Sequence, residues 1–110
     1  ATLKVDGART HKENAIDLSG LELAWSAYEK AEQQATAANQ QPFFRGWARL
    51  WAQHLSPQAA GTHAAFSPYP PGQWRANAPA MQLPVFGKAF ACKTGNAMLV
   101  PEAQQLSIWR

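Results

Sequence analysis

Charge is what this sequence has least of: only 15% of its 110 residues are Asp, Glu, Lys or Arg, against about 25% in a typical soluble domain. A chain of this length forms one domain and buries roughly 65% of its unfolded surface. With so little charge to cover the remainder, an apolar face is expected to stay exposed beside Glu13 and along Phe44, Trp47 and Trp51. Cysteine is nearly absent. Cys92 alone excludes an internal disulfide and a cysteine-built metal cluster, and says nothing firm about redox compartment. No apolar run approaches the roughly 18 residues of a membrane span. There is no basic stripe either: the net charge of +3 comes from ten Lys and Arg residues scattered along the chain. Base stacking needs cations interleaved with aromatic rings, and only Arg45, Arg49 and Arg75 qualify, so no nucleic-acid partner is expected. Residues 1–10 carry neither an initiating methionine nor the basic and apolar regions of a signal peptide, so no address is read from them.

What is present is aromatic and helical. Five tryptophans within a 46% hydrophobic composition exclude intrinsic disorder. After an extended lead-in with a turn at Asp6-Gly7, Thr10 and Glu13 form a T-x-x-E pattern that predicts a capping box and a helix start. Leu18, Leu21, Trp25 and Tyr28 then recur at helical spacing, with Glu22, Ser26, Glu29 and Lys30 on other faces. Residues 31–41 have helix propensity but little to bury, so the helix is expected to fray before Pro42, which suits the first turn of the next. That second helix carries Phe44, Trp47 and Trp51 on one stripe and is expected to be central. Residues 56–72, with Pro57, Gly61, Pro68, Pro70, Pro71 and Gly72, predict a long Pro/Gly-rich loop. Residues 73–77 read as extended, 84–91 as a short helix, and Pro101 as the start of a last turn ending near Trp109. The fold class is mainly α.

Glu13 and Asp17 are one helical turn apart, which puts two carboxylates on one face. Two readings stand. In one, Glu13 completes the capping box and Asp17 sits in the positive field of the helix start. In the other, one carboxylate is a metal ligand and the second orients its surroundings.

The run Glu13-Asn14-Ala15-Ile16-Asp17-Leu18-Ser19-Gly20 resembles the E-N-x-x-D-x-G-G segment of the neprilysin and endothelin-converting-enzyme family of zinc metallopeptidases. Other features resemble that family's carboxy-terminal segment in the same order: Val5-Asp6-Gly7, Phe43-Phe44-x-x-Trp47-Ala48-x-x-Trp51, Pro71-Gly72-x-x-Arg75-x-Asn77, Phe86-x-x-Ala89-Phe90-x-Cys92, Pro101-Glu102 and Ile108-Trp109. The succession covers nearly the whole chain.

The resemblance implies the helical carboxy-terminal part of a thermolysin-like zinc peptidase catalytic domain, with residues 1–110 a single domain or fragment. Glu13 matches the third zinc ligand, Asp17 the carboxylate that fixes a ligating histidine, and Arg75 the arginine that holds a substrate carbonyl. Tyr69 stands where the family has a histidine that stabilises the tetrahedral intermediate; its hydroxyl can donate a hydrogen bond but carries no positive charge. His11-Lys12 replaces Leu-Gly before Glu13, Ala15-Ile16 inverts the usual order, and Ser19 replaces a glycine.

The family's H-E-x-x-H helix, which supplies two ligands and the general base, is absent from these residues. His11, His54 and His63 form no i, i+4 pair; His54 reads as a helix C-terminal residue and His63 as solvent-exposed. Cys92 reads as inert, or as bridged to sequence elsewhere as the family allows. The implied protein is thus a zinc metalloendopeptidase acting on peptides and completed by an amino-terminal part. One zinc ion is expected there and none in this chain alone, which is expected to be inactive; an extracytoplasmic location is favoured. The alternative is a noncatalytic helical interaction module that keeps the scaffold.

Overall fold

A computed structural model describes residues 4–31 and 37–110. Among the described residues five α-helices run in chain order: α1 (Gly7–Ala31), α2 (Ala37–Leu50), α3 (Pro57–Phe66), α4 (Gly72–Met81) and α5 (Pro84–Ala89), followed by a 3-10 turn at Glu102–Gln104. No strand occurs among the described residues, as the mainly α reading expects.

α1 starts a turn earlier than the T-x-x-E pattern predicts. The cap is Asp6, whose Oδ1 accepts from the amides of Ala8 at 3.0 Å and Arg9 at 3.2 Å. Asp is among the strongest N-caps, and Thr10, already helical, turns its hydroxyl back to Asp6 O at 2.9 Å. Glu13 therefore lies in the second turn and closes no capping box.

The predicted inner stripe of α1 holds: Leu18 and Leu21 are buried, and Trp25 packs on the same core. Full burial of a leucine such as Leu21 contributes about 2 kcal/mol. Phe44 of α2 is the hub of the core, stacked on Trp25 at 5.9 Å and meeting Phe43 and Phe86 edge-on at 5.2 Å each. α2 packs against α4 and α5, and α4 also against α1, so α2 and α4 hold the centre. α2 begins at Ala37, so Pro42 lies inside it rather than in its first turn. The fraying expected over residues 31–41 falls partly on 32–36, outside the described residues.

Two segments expected to be irregular are helices. Within 56–72, Ser56 caps α3 by accepting from Ala59 N at 3.1 Å, and Pro57 occupies its first turn. This Ser-Pro start followed by small residues outweighs one glycine, and Pro68 stops the helix from continuing. Residues 73–77 belong to α4, which starts as soon as Pro71 and Gly72 have turned the chain. The short helix at Pro84–Ala89 forms as predicted.

The C-terminal segment closes back on α1 through Glu22, a residue the periodicity assigns to a polar face but which is buried. Its carboxylate accepts from Ser107 Oγ and Ile108 N, both at 2.7 Å. Trp109 Nε1 donates to Ser19 Oγ at 3.0 Å, and Arg110 Nη2 to Gln82 O at 2.9 Å.

Of the exposed apolar face expected, the part beside Glu13 is present as Ile16, one turn further along α1, but the Phe44, Trp47 and Trp51 stripe is not. Phe44 is internal, and Trp47 and Trp51 are half-buried. Also exposed are Leu23 on α1, Leu50, Phe66, Trp74 and Trp109.

Candidate active site

Asp17 and Arg75 meet across the α1–α4 interface. Arg75 Nε donates to Asp17 Oδ2 and Nη2 to Oδ1, each at 2.9 Å, with side-chain exposures of 19% for Arg75 and 7% for Asp17. This is the bidentate fork that a guanidinium offers a carboxylate. The hydrogen bonds to Asp17 hold Arg75 above its ordinary pKa against the opposing pull of partial burial, and the charges of Asp17 and Glu13 act in the same direction as those bonds. Arg75 therefore stays cationic at neutral pH.

Local sequence dictates where Arg75 points. Gly72 opens α4 so close to the end of α2 that a Cβ there would lie 2.2 Å from Trp51 O. Its amide donates to Gln53 Oε1 at 2.9 Å. Only glycine permits that approach, and it brings the first turn of α4 against Trp51. Trp47 Nε1 then donates to the carbonyls of Arg75 and Ala76, both at 3.1 Å, fixing the backbone that carries the guanidinium. The Arg75 Cζ lies 3.8 Å from the Trp51 ring centroid and 4.8 Å from that of Tyr69, within cation–π range of both.

Asp17, Tyr69 and Arg75 are thus brought into contact, and Glu13 lies one turn before Asp17 on α1. Glu13 is half-buried, and its carboxylate makes no hydrogen bond or ion pair among the described residues. Trp47 and Trp51 were missed as site residues, because an i, i+4 pair of tryptophans reads as core; their place at the end of α2, just before a sharp change of direction, was the available signal. Trp51 Nε1 is buried without an acceptor among the described residues.

No group of three His, Cys, Asp or Glu side chains is disposed to hold a metal among the described residues. His11 places Nδ1 3.0 Å from Ala8 O. His54 is exposed beyond the end of α2 rather than at a helix C-terminus, and His63 is half-buried in α3, with Nε2 lacking a partner among the described residues, rather than free in a loop. The unengaged Glu13 carboxylate suits one ligand of a zinc site whose other ligands come from elsewhere. Cys92 is a free thiol, half-buried. A cleft of about 460 Å³, lined by His11, Asn14, Leu18, Trp74, Pro79 and Ile108 among others, includes none of the four predicted site residues.

A buried carboxylate, a gripped arginine and an unengaged glutamate thus lie on one helical scaffold. The model of Peptidase family M13 matches residues 1–106. The chain belongs to this family of zinc metallopeptidases. It is 28% identical over 107 residues to "Neprilysin-1" of Caenorhabditis elegans, covering 87% of this chain and 14% of that protein. It is 26% identical over 114 residues to human "Endothelin-converting enzyme 1", covering 96% and 14% respectively. It is 28% identical over 103 residues to the "Endothelin-converting enzyme homolog" of Locusta migratoria, covering 86% and 14%. The chain spans about one seventh of the length of these relatives. No solved structure gives a significant match.

Proposed function

We propose that this chain is the part of a zinc metalloendopeptidase that supplies the third metal ligand and the residues holding the substrate. The observation that carries the reading is the Glu13 carboxylate, unengaged among the described residues, one turn before an Asp17 whose two oxygens grip Arg75.

Glu13 would bind the metal through its carboxylate. Asp17 accepts from Arg75 and keeps lone pairs for the N–H of a ligating histidine outside this chain. Two of the five N–H donors of Arg75 are committed to Asp17, and the remaining three can hold a peptide carbonyl. Tyr69 offers its hydroxyl to the developing oxyanion. When bound, zinc would supply Lewis-acid polarisation of the scissile carbonyl and a water of lowered pKa.

The substrate is then a peptide, and the location extracytoplasmic, as in the reading by family resemblance. The two further ligands and the general base come from another part of the polypeptide. Alone, this chain holds one ligand of a site that needs three, so it neither retains zinc nor hydrolyses peptides. The test is hydrolysis of an end-blocked peptide by the full-length protein. Cleavage abolished by a chelator and restored by zinc supports the reading; a parent reading frame without H-E-x-x-H and without chelator-sensitive cleavage overturns it in favour of an interaction module.

A further inference from the structure

We propose that Tyr69 is a positioning residue acting through Arg75: its ring, with that of Trp51, clamps the guanidinium so that the donors not used by Asp17 face the substrate, and the ring rather than the hydroxyl carries this role. The inference rests on the reading of Arg75 as the substrate-holding arginine.

Asp17 fixes Arg75 along one edge only, through Nε and Nη2. A guanidinium held by one edge can still rock about it, and the two rings at 3.8 Å and 4.8 Å from Cζ limit that rotation. Tyr69 needs no help from its hydroxyl to stay there. Its amide donates to Ser67 Oγ at 3.1 Å. Pro70, which follows it, is buried, and Pro71 leads into the close approach of Gly72 to Trp51. A Tyr-Pro-Pro-Gly arm has few backbone conformations to choose from, so the ring is delivered to Arg75 by the chain itself. The hydroxyl makes no hydrogen bond among the described residues, and Tyr69 is 41% exposed, so its side chain can be changed without opening the core.

The test compares Tyr69→Phe, Tyr69→Leu, Arg75→Ala and the Tyr69→Leu/Arg75→Ala double variant in the full-length protein. KM and kcat are read on one end-blocked peptide. The rate of Arg75 modification by phenylglyoxal is read by peptide mapping on the metal-free protein. The phenyl ring of Tyr69→Phe keeps the clamp, so KM and labelling rate stay at wild-type values, while kcat falls with the loss of the hydroxyl that faces the oxyanion. Tyr69→Leu loses one cation–π face and is expected to raise KM and the labelling rate about fivefold. The double variant is expected to be no worse than Arg75→Ala. If Tyr69→Leu leaves KM and the labelling rate where Tyr69→Phe leaves them, at wild-type values, the ring does not hold Arg75 and the clamp is overturned. If Arg75→Ala cleaves normally, the substrate-holding role of Arg75 falls and the clamp falls with it.

Discussion

Arg75 and Asp17, 58 residues apart in sequence, are joined by two parallel hydrogen bonds of 2.9 Å that tie α4 to α1. The same contact that steadies the interface aims the arginine. Arg75→Lys should therefore impair kcat/KM nearly as much as Arg75→Ala, because a single ammonium cannot satisfy both carboxylate oxygens and also hold a carbonyl. Arg75→Ala should further destabilise the protein by about 3 kcal/mol, since it leaves a buried carboxylate unpaired. Catalytic efficiency on one peptide and a denaturation midpoint check both, and full activity of the alanine variant would place Arg75 outside the site.

Gly72 is the position least able to change. A methyl group there meets Trp51 O at 2.2 Å, and a backbone atom cannot step aside as a flexible side chain can. Gly72→Ala should cost about 1–3 kcal/mol. It should also lower kcat/KM, because the first turn of α4 must move away from Trp51 and carry Arg75 with it. An alanine variant with wild-type stability and kinetics would mean that the approach is looser than the structure shows.

The C-terminal residues are fastened by one buried carboxylate. Glu22→Ala removes the acceptor for Ser107 Oγ and Ile108 N, and should destabilise the fold by about 3 kcal/mol, as expected for two hydrogen bonds to a charged acceptor. Amide exchange at Ile108 is the direct readout. Exchange should accelerate at residues 106–110 first, and protection as in the wild type would show that Trp109 and Arg110 hold the segment without Glu22.

Much of the fold was legible because it rests on local periodicity. The Leu18, Leu21, Trp25 stripe and the Pro84–Ala89 helix follow from spacing and a proline at a helix start. α3 was not, because six prolines and glycines between 56 and 72 mask the Ser56-Pro57 cap that decides the matter. Glu22 defeats periodicity for another reason: its burial depends on partners 85 and 86 residues away, which no local window contains. At the site, Glu13, Asp17, Tyr69 and Arg75 were named from motif order. Their contacts were not. That Asp17 grips Arg75, and that Trp51 and Tyr69 flank it, depends on how α1, α2 and α4 pack together.

The zinc assignment turns on Glu13. Asp6 caps α1, so Glu13 has no capping task, and its carboxylate makes no hydrogen bond among the described residues. Its removal should leave stability within about 0.5 kcal/mol of the metal-free wild type, as for a surface substitution, while reducing a three-ligand zinc site to two. The deciding measurement is the zinc content of the full-length Glu13→Ala protein after dialysis at neutral pH. Loss of zinc, with a melting temperature equal to that of the metal-free wild type, is the predicted result; one zinc per chain retained together with full peptidase activity would contradict the assignment.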